Sequence, residues 1–231
     1  MVESSAILRF VSALAHRGPD GQAAVSADEG RLALAHRRLA ILDTTPAAAQ
    51  PMRSASGRYD MIYNGEVYNF RSCAPNSSTS VTGSAAPETR KWCWRPREQW
   101  GAECLLRFNG MWSLAIWDRS ERVLVLSRDR FGVKPLYFTT DRTRIAFASE
   151  LKAFLALDGF TPRANNAAIE ARLAGNFSDH VLLEGMESLP PATISTSTGR
   201  GSACLAGGIL STTSRTPRCR PPIVRTGFGS C

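Results

Sequence analysis

No apolar run reaches the roughly 18 residues that carry a helix through a bilayer, and no charged start, apolar stretch and cleavage site mark a secretory leader. The expectation is a soluble cytoplasmic protein without a membrane partner. Only three histidines occur. None has a second His or a Cys at ligand spacing, so His16, His36 and His180 read as structural residues and no metal site is expected. Acidic residues are missing from Ser195 to Cys231, which holds five arginines; Ser72 to Arg97 has Glu88 alone against four basic residues. These two segments carry the whole net charge of +8, because the rest has 19 basic and 19 acidic residues. They also hold five of the six cysteines. Ser72 to Arg97 lacks Leu, Ile, Phe and Met, and shows neither helical nor strand periodicity. With the basicity confined there and no aromatic interleaving, a nucleic-acid-binding function is the weakest reading and no nucleic-acid partner is expected.

What remains is an ordinary core-forming chain, 231 residues long and 43% hydrophobic, with room for one domain. Its organising stretch is RYDMIYNGEVYNF, Arg58 to Phe70, which reads as two short strands around an Asn64-Gly65 turn. A side-chain amide beside a backbone N–H that glycine lets come close is also what an oxyanion hole requires. Arg31 to Asp43 reads as extended. Gln99 to Phe108 has helical spacing, which makes Cys104 a core residue. Strands are expected at Ser113 to Trp117, Arg122 to Leu126, Leu136 to Thr139 and Ile145 to Ala148. Helices are expected at Glu150 to Leu157, capped by Ser149, and at Ala167 to Ala174. Phe131-Gly132-Val133-Lys134-Pro135 lacks Walker spacing and reads as a packed loop.

Six motifs occur in order: AHRGPDG (15–21), AHRRLAILD (35–43), YNGEVYNF (63–70), FNGMWSLAIWD (108–118), SRDRFGVKPLYF (127–138) and FASELKAFL (147–155). Together they resemble the N-terminal glutaminase domain of glutamine-hydrolysing asparagine synthetase, a class II amidotransferase. The resemblance implies an α+β fold, a four-layer αββα sandwich of the N-terminal-nucleophile hydrolase type, over residues 1–194. It implies glutamine as substrate, hydrolysed to glutamate and ammonia by a cysteine thioester route. Arg38 would grip the α-carboxylate, backbone near Ile41 and Leu42 would line the pocket, Asn64 and Gly65 would form the oxyanion hole, and Glu66 would contact substrate. The parent family is often homodimeric. It has a C-terminal synthetase domain that uses ATP and Mg2+ to amidate aspartate.

The departures from the family pattern are specific. Family members expose a terminal cysteine as nucleophile; here Met1 is followed by Val2-Glu3-Ser4-Ser5. Losing such a nucleophile costs on the order of 10⁶ in kcat, so this chain is expected to be inactive. The Asp of a DTE segment that would bind the substrate amine is missing, and Ser72 to Arg97 stands where it should be. Regrouping the codons permitted for Ser72 to Pro96 allows the amphipathic string ELRAELEHLGHRFRGTGDTEVVLAA, which points to a frameshift. Residues 195–231 leave the family pattern and read as a disordered tail. No Ser-Gly-Gly-x-Asp-Ser loop for ATP occurs, so the chain reads as truncated before the synthetase domain. The alternative reading is a non-catalytic structural domain of an amide-forming enzyme of the β-lactam synthetase type.

Overall fold

Alternation of apolar side chains through β4 (Tyr59–Val67), β5 (Gly110–Asp118) and β6 (Val123–Arg128) makes one sheet that is buried on both faces. Ile62, Ala115, Trp117, Leu124 and Leu126 point to one side. Met61, Trp112, Leu114, Ile116 and Val125 point to the other, as a period of two requires. With β3 (Met52–Arg53) and β10 (Ile194–Thr198) at its edges, this sheet has the order β10-β6-β5-β4-β3. The computed structural model describes residues 4–40, 49–69, 104, 105, 107–141, 144–176, 180–198 and 208–211. The anomalous segment Ser72 to Arg97, and with it the regrouped helix, lies outside them.

The second sheet has the order β1-β2-β11-β8-β7-β9, built from β1 (Gly21–Ala27), β2 (Leu32–Arg38), β7 (Tyr137–Thr140), β8 (Arg144–Ala148), β9 (Met186–Ser188) and β11 (Gly208–Ser211). The turn between β1 and β2 puts Asp28, Glu29 and Gly30 at positive φ. In β1 exposed and half-buried residues alternate up to Ala27, as suits an edge, whereas Leu32 to Ala35 of β2 are all buried.

Helix α1 (Ser4–Ser12) covers the far face of this sheet. Ile7, Phe10, Val11 and Leu14 recur at the i, i+3, i+4, i+7 spacing of one helical stripe, and all are buried. Phe10 meets Phe154 edge-on at 5.5 Å. Phe154 belongs to a 3-10 helix, Leu151–Ala156, where the sequence led us to expect an α-helix capped by Ser149. Its N-cap position is Glu150, which makes no side-chain cap, and the Ser149 hydroxyl instead accepts from the Asn64 amide. The Ala167 to Ala174 expectation corresponds to α2 (Asn166–Leu173), capped by Asn165, whose Oδ1 accepts from Ala168 N at 3.2 Å. Cys104, 1% exposed, packs with Leu105 and Phe108 on the outer face of the β5 sheet, as its spacing predicted.

Two expectations need correction. Asn64-Gly65 does not close a hairpin: β4 runs unbroken through both and pairs residue for residue with β5, Asn64 opposite Ser113 and Gly65 opposite Trp112. The order does not stop at Ile194 either. Ile194–Thr198 pairs with Ser127–Val123, and Gly208–Ser211 pairs within the second sheet. Among the described residues no helix is long and apolar enough to cross a membrane, and no group of three His, Cys, Asp or Glu could hold a metal ion.

Candidate functional site

The end of β2, the middle of β4 and the loop after β8 converge where the two sheets face each other. The His16-Arg17-Gly18-Pro19-Asp20 run fixes the first of these. Gly18 lies so close to the strand end that a Cβ would sit 2.4 Å from both Arg37 C and Arg38 N, so only glycine fits. Asp20 then holds the strand from both sides: its N–H donates to Arg38 O at 3.0 Å, and its carboxylate accepts from Ala40 N at 2.8 Å. Arg38 is thereby held at the end of β2, partly buried.

Asn64 has the same parity along β4 as inward-facing Ile62 and therefore projects toward the other sheet. Its amide donates to Ser149 Oγ at 3.4 Å. The strand conformation at Gly65 is possible for glycine alone: φ is +146°, and a Cβ would meet Met111 O at 2.0 Å and Trp112 Cα at 2.7 Å. Gly110 on β5 is the reciprocal case, with φ +155° and Glu66 O 2.1 Å from an added Cβ. Trp112 turns both its backbone groups toward Asp129, its O accepting from Asp129 N and its N–H donating to the carboxylate. Gly65 and Trp112 are therefore a pair without hydrogen bonds between them, and strand alternation sends the Gly65 N–H to the opposite edge of β4. On that edge, two residues earlier, Gln50 satisfies Tyr63 as a strand would: Tyr63 N donates to Oε1 at 2.6 Å and Nε2 donates to Tyr63 O at 2.9 Å.

His36 packs between β2 and the backbone of Tyr63. Burial, opposed by the Tyr63 backbone and reinforced by Arg38, lowers its pKa to about 4, so the ring is neutral near pH 7. Beyond Ser149, Glu150 Oε1 accepts from Arg17 at 2.9 Å and meets His16 Nε2 at 2.9 Å, while Lys152 Nζ lies 2.8 Å from His16 Nδ1. Burial works against ionisation of Glu150, but the Arg17 and His16 bonds outweigh it and hold its pKa below the usual value. This cluster ties the Gly18 loop to the loop that meets Asn64.

Of the residues expected at the site, Arg38, Asn64, Gly65 and Glu66 are described, Glu66 being exposed; Ile41 and Leu42 lie outside the described residues. Sequence reasoning missed Gln50 and Ser149. Gln50 offered no local signal, since its role is to imitate a strand. Ser149 did have one, but its position before a helix pointed to capping.

The sequence profile described as Glutamine amidotransferase domain matches residues 1–204. The chain belongs to this glutamine amidotransferase domain family. A putative glutamine-hydrolyzing asparagine synthetase of Methanocaldococcus jannaschii is 32% identical over 182 residues, which cover 69% of this chain and 33% of that protein. Its counterpart in Mycobacterium bovis is 33% identical over 178 residues, covering 72% and 27%. Amidase chry2 of Gibberella zeae is 29% identical over 145 residues, covering 62% and 21%. The chain thus spans a third or less of the length of these relatives. A solved structure of an allosteric regulatory enzyme of purine biosynthesis superposes with a TM-score of 0.55 and 15% identity over 90% of this chain and 45% of its own. That likeness is one of fold, and it agrees with the two stacked sheets and flanking helices of an α+β sandwich.

Proposed function

We propose that these 231 residues form the glutamine-binding site of an asparagine-synthetase-type glutaminase domain and bind glutamine without hydrolysing it. What supports the binding half is that Arg38 ends β2 two residues beyond His36, which meets the Tyr63 backbone, while Asn64 and Gly65 follow Tyr63 directly on β4. A guanidinium there suits the planar α-carboxylate, and an amide plus a backbone N–H suit the side-chain carbonyl, whose oxygen gains negative charge on attack. The second half rests on the thiol. Cys104 is the only cysteine among the described residues, and it is buried on the face of the β5 sheet opposite to Asn64. With that thiol turned away from Asn64, no described cysteine can attack a carbonyl held there, which supports binding without turnover.

In a full-length protein of this kind the ammonia acceptor, with ATP and Mg2+, would be handled outside these residues, in the remaining length that the relatives possess. Aspartate is the acceptor that the names of the synthetase relatives favour.

Titration calorimetry with L-glutamine tests the binding claim. Arg38→Ala should weaken binding about 10- to 100-fold, as expected for loss of hydrogen bonds to a charged group. Absence of glutamine binding in the unaltered chain would defeat the site assignment. Ammonia release that a thiol reagent abolishes would defeat the claim of no turnover while leaving the site intact.

A further inference from the structure

The second sheet is made of two units that share no direct strand pairing. The β1-β2 hairpin is one; β8 with β7 and β9 is the other. They meet through β11 alone, which runs antiparallel to both. Gly208 lies opposite Leu34 on one side and Phe147 on the other, Leu210 opposite Leu32 and Ile145, Ile209 opposite Ala33, and Ser211 opposite Arg144.

Several contacts hold the two units at this spacing without help from β11. Helix α1 leads into the first unit and the 3-10 helix follows β8, and the two helices are clamped together. Arg9 pairs with Asp158 at 2.8 Å, Arg17 with Glu150 at 2.9 Å, and Phe10 with Phe154. On the other face Ile62, Ala115 and Trp117 of the β5 sheet close the core. The gap is therefore a preformed slot with two strand edges, walled by fully buried Leu32, Leu34 and Phe147. Its occupant is only four residues long. It joins β10 through residues 199–207 and comes from a stretch rich in Ser, Thr, Arg, Gly and Pro.

We infer that the gap between β2 and β8 is a strand-acceptor site, which Gly208–Ser211 fills in cis and which takes an uncharged extended peptide of the same kind in trans. Main-chain hydrogen bonds on both edges supply affinity. Selection comes from position. Because Leu32, Ala33, Leu34, Ile145 and Phe147 along the two edges are all buried, a small residue is wanted between Leu34 and Phe147 and apolar residues in the next two places. A charged residue in either of those would lose its water among apolar groups.

Hydrogen exchange on the unaltered full chain is the first test: Gly208–Ser211 amides should exchange at least about tenfold more slowly than the same amides in a free peptide of residues 206–212. Equal exchange overturns the inference. The second test titrates a fluorescent peptide of residues 206–212, Ala-Gly-Gly-Ile-Leu-Ser-Thr, into the unaltered chain and into Leu210→Pro, whose proline removes a ladder N–H. The variant should bind at least about tenfold more tightly, because in the unaltered chain the tethered strand competes at an effective concentration on the order of millimolar. A peptide with Asp in place of Ile and Leu should not bind. Equal binding to the two chains, or equal binding of the two peptides, overturns the site. If Leu210→Pro does not fold, excess peptide on the unaltered chain decides. It should speed exchange at Gly208–Ser211 while Ala33 and Phe147 stay protected, and no change overturns exchange in trans.

Discussion

At Gly65 an added methyl group would sit 2.0 Å from a carbonyl oxygen of the neighbouring strand, at a φ of +146°. Neither strand can give way alone, since Gly110 on β5 is pressed against Glu66 O in the same manner. Gly65→Ala should therefore cost about 2–5 kcal/mol, the sum of a strained φ and an overpacked contact. Gly57 is the control: its φ is +72°, but nothing lies within 4 Å of a Cβ there, so Gly57→Ala should cost only about 1 kcal/mol. Urea midpoints of the two variants check this, and equal losses would show that the close approach at Gly65 has no energetic weight. The same contact explains why Asn64-Gly65 reads as a turn in the sequence and is not one. Glycine signals permission for unusual φ, and the sequence does not say whether a turn or a neighbouring backbone uses it. Arg38 and Asn64 could be named beforehand only through the family motifs. What holds them, Asp20 on Ala40 N and Ser149 on the Asn64 amide, became visible with the geometry.

Among the elements, the loop after β6 shows how a charged run becomes rigid. Asp129 is fully buried, and its carboxylate accepts from the N–H groups of Phe131 (2.9 Å), Val133 (3.1 Å), Lys134 (3.0 Å) and Trp112 (3.3 Å). Arg128 completes the loop from the other side, donating to Gly132 O, Lys134 O, Leu189 O and Ser188 Oγ. Asp129→Ala would orphan several of these amides together and should cost about 3–5 kcal/mol. Thermal unfolding would measure the loss, and limited trypsin digestion should show faster cleavage at Arg130. A loss under about 1 kcal/mol would mean that water replaces the carboxylate at no cost. The strands around this loop were legible because β5, β6 and β8 are short, nearly continuous buried runs set off by polar turns. Two elements were not. The stripe Ile7, Phe10, Val11, Leu14 of α1 and the turn after it covers barely two helical turns, too short a period to stand apart in the sequence. In β11, a four-residue strand inside a Ser- and Arg-rich stretch has too little pattern to stand out, and only its partners on both sides define it.

For the whole molecule, acid should act in two stages that different groups control. His36 has a folded pKa of about 4 against 6.5 when unfolded, so between these values the unfolded chain binds more protons than the folded one. Stability is then full above about pH 6.5 and declines as pH falls toward 4, by on the order of 3 kcal/mol. The carboxylates follow below that window. At Asp129 burial favours the neutral acid, but four N–H bonds outweigh it; at Asp118 burial is outweighed by Arg58 and by the backbone of Glu121 and Ser120. With Glu150, they hold folded pKa values below the unfolded ones, so their stabilisation is present above about pH 4.5 and lost as pH drops through the folded values. Urea midpoints measured from pH 8 to pH 3 should therefore fall gently from about 6.5 and steeply below about 4.5. His36→Gln should flatten the first decline and leave the second, whatever it does to stability at pH 8. If the gentle decline persists in that variant, His36 is not the group that takes up the proton. The steep limb would be unaffected by that outcome, because Asp118, Asp129 and Glu150 are stabilised by partners other than His36.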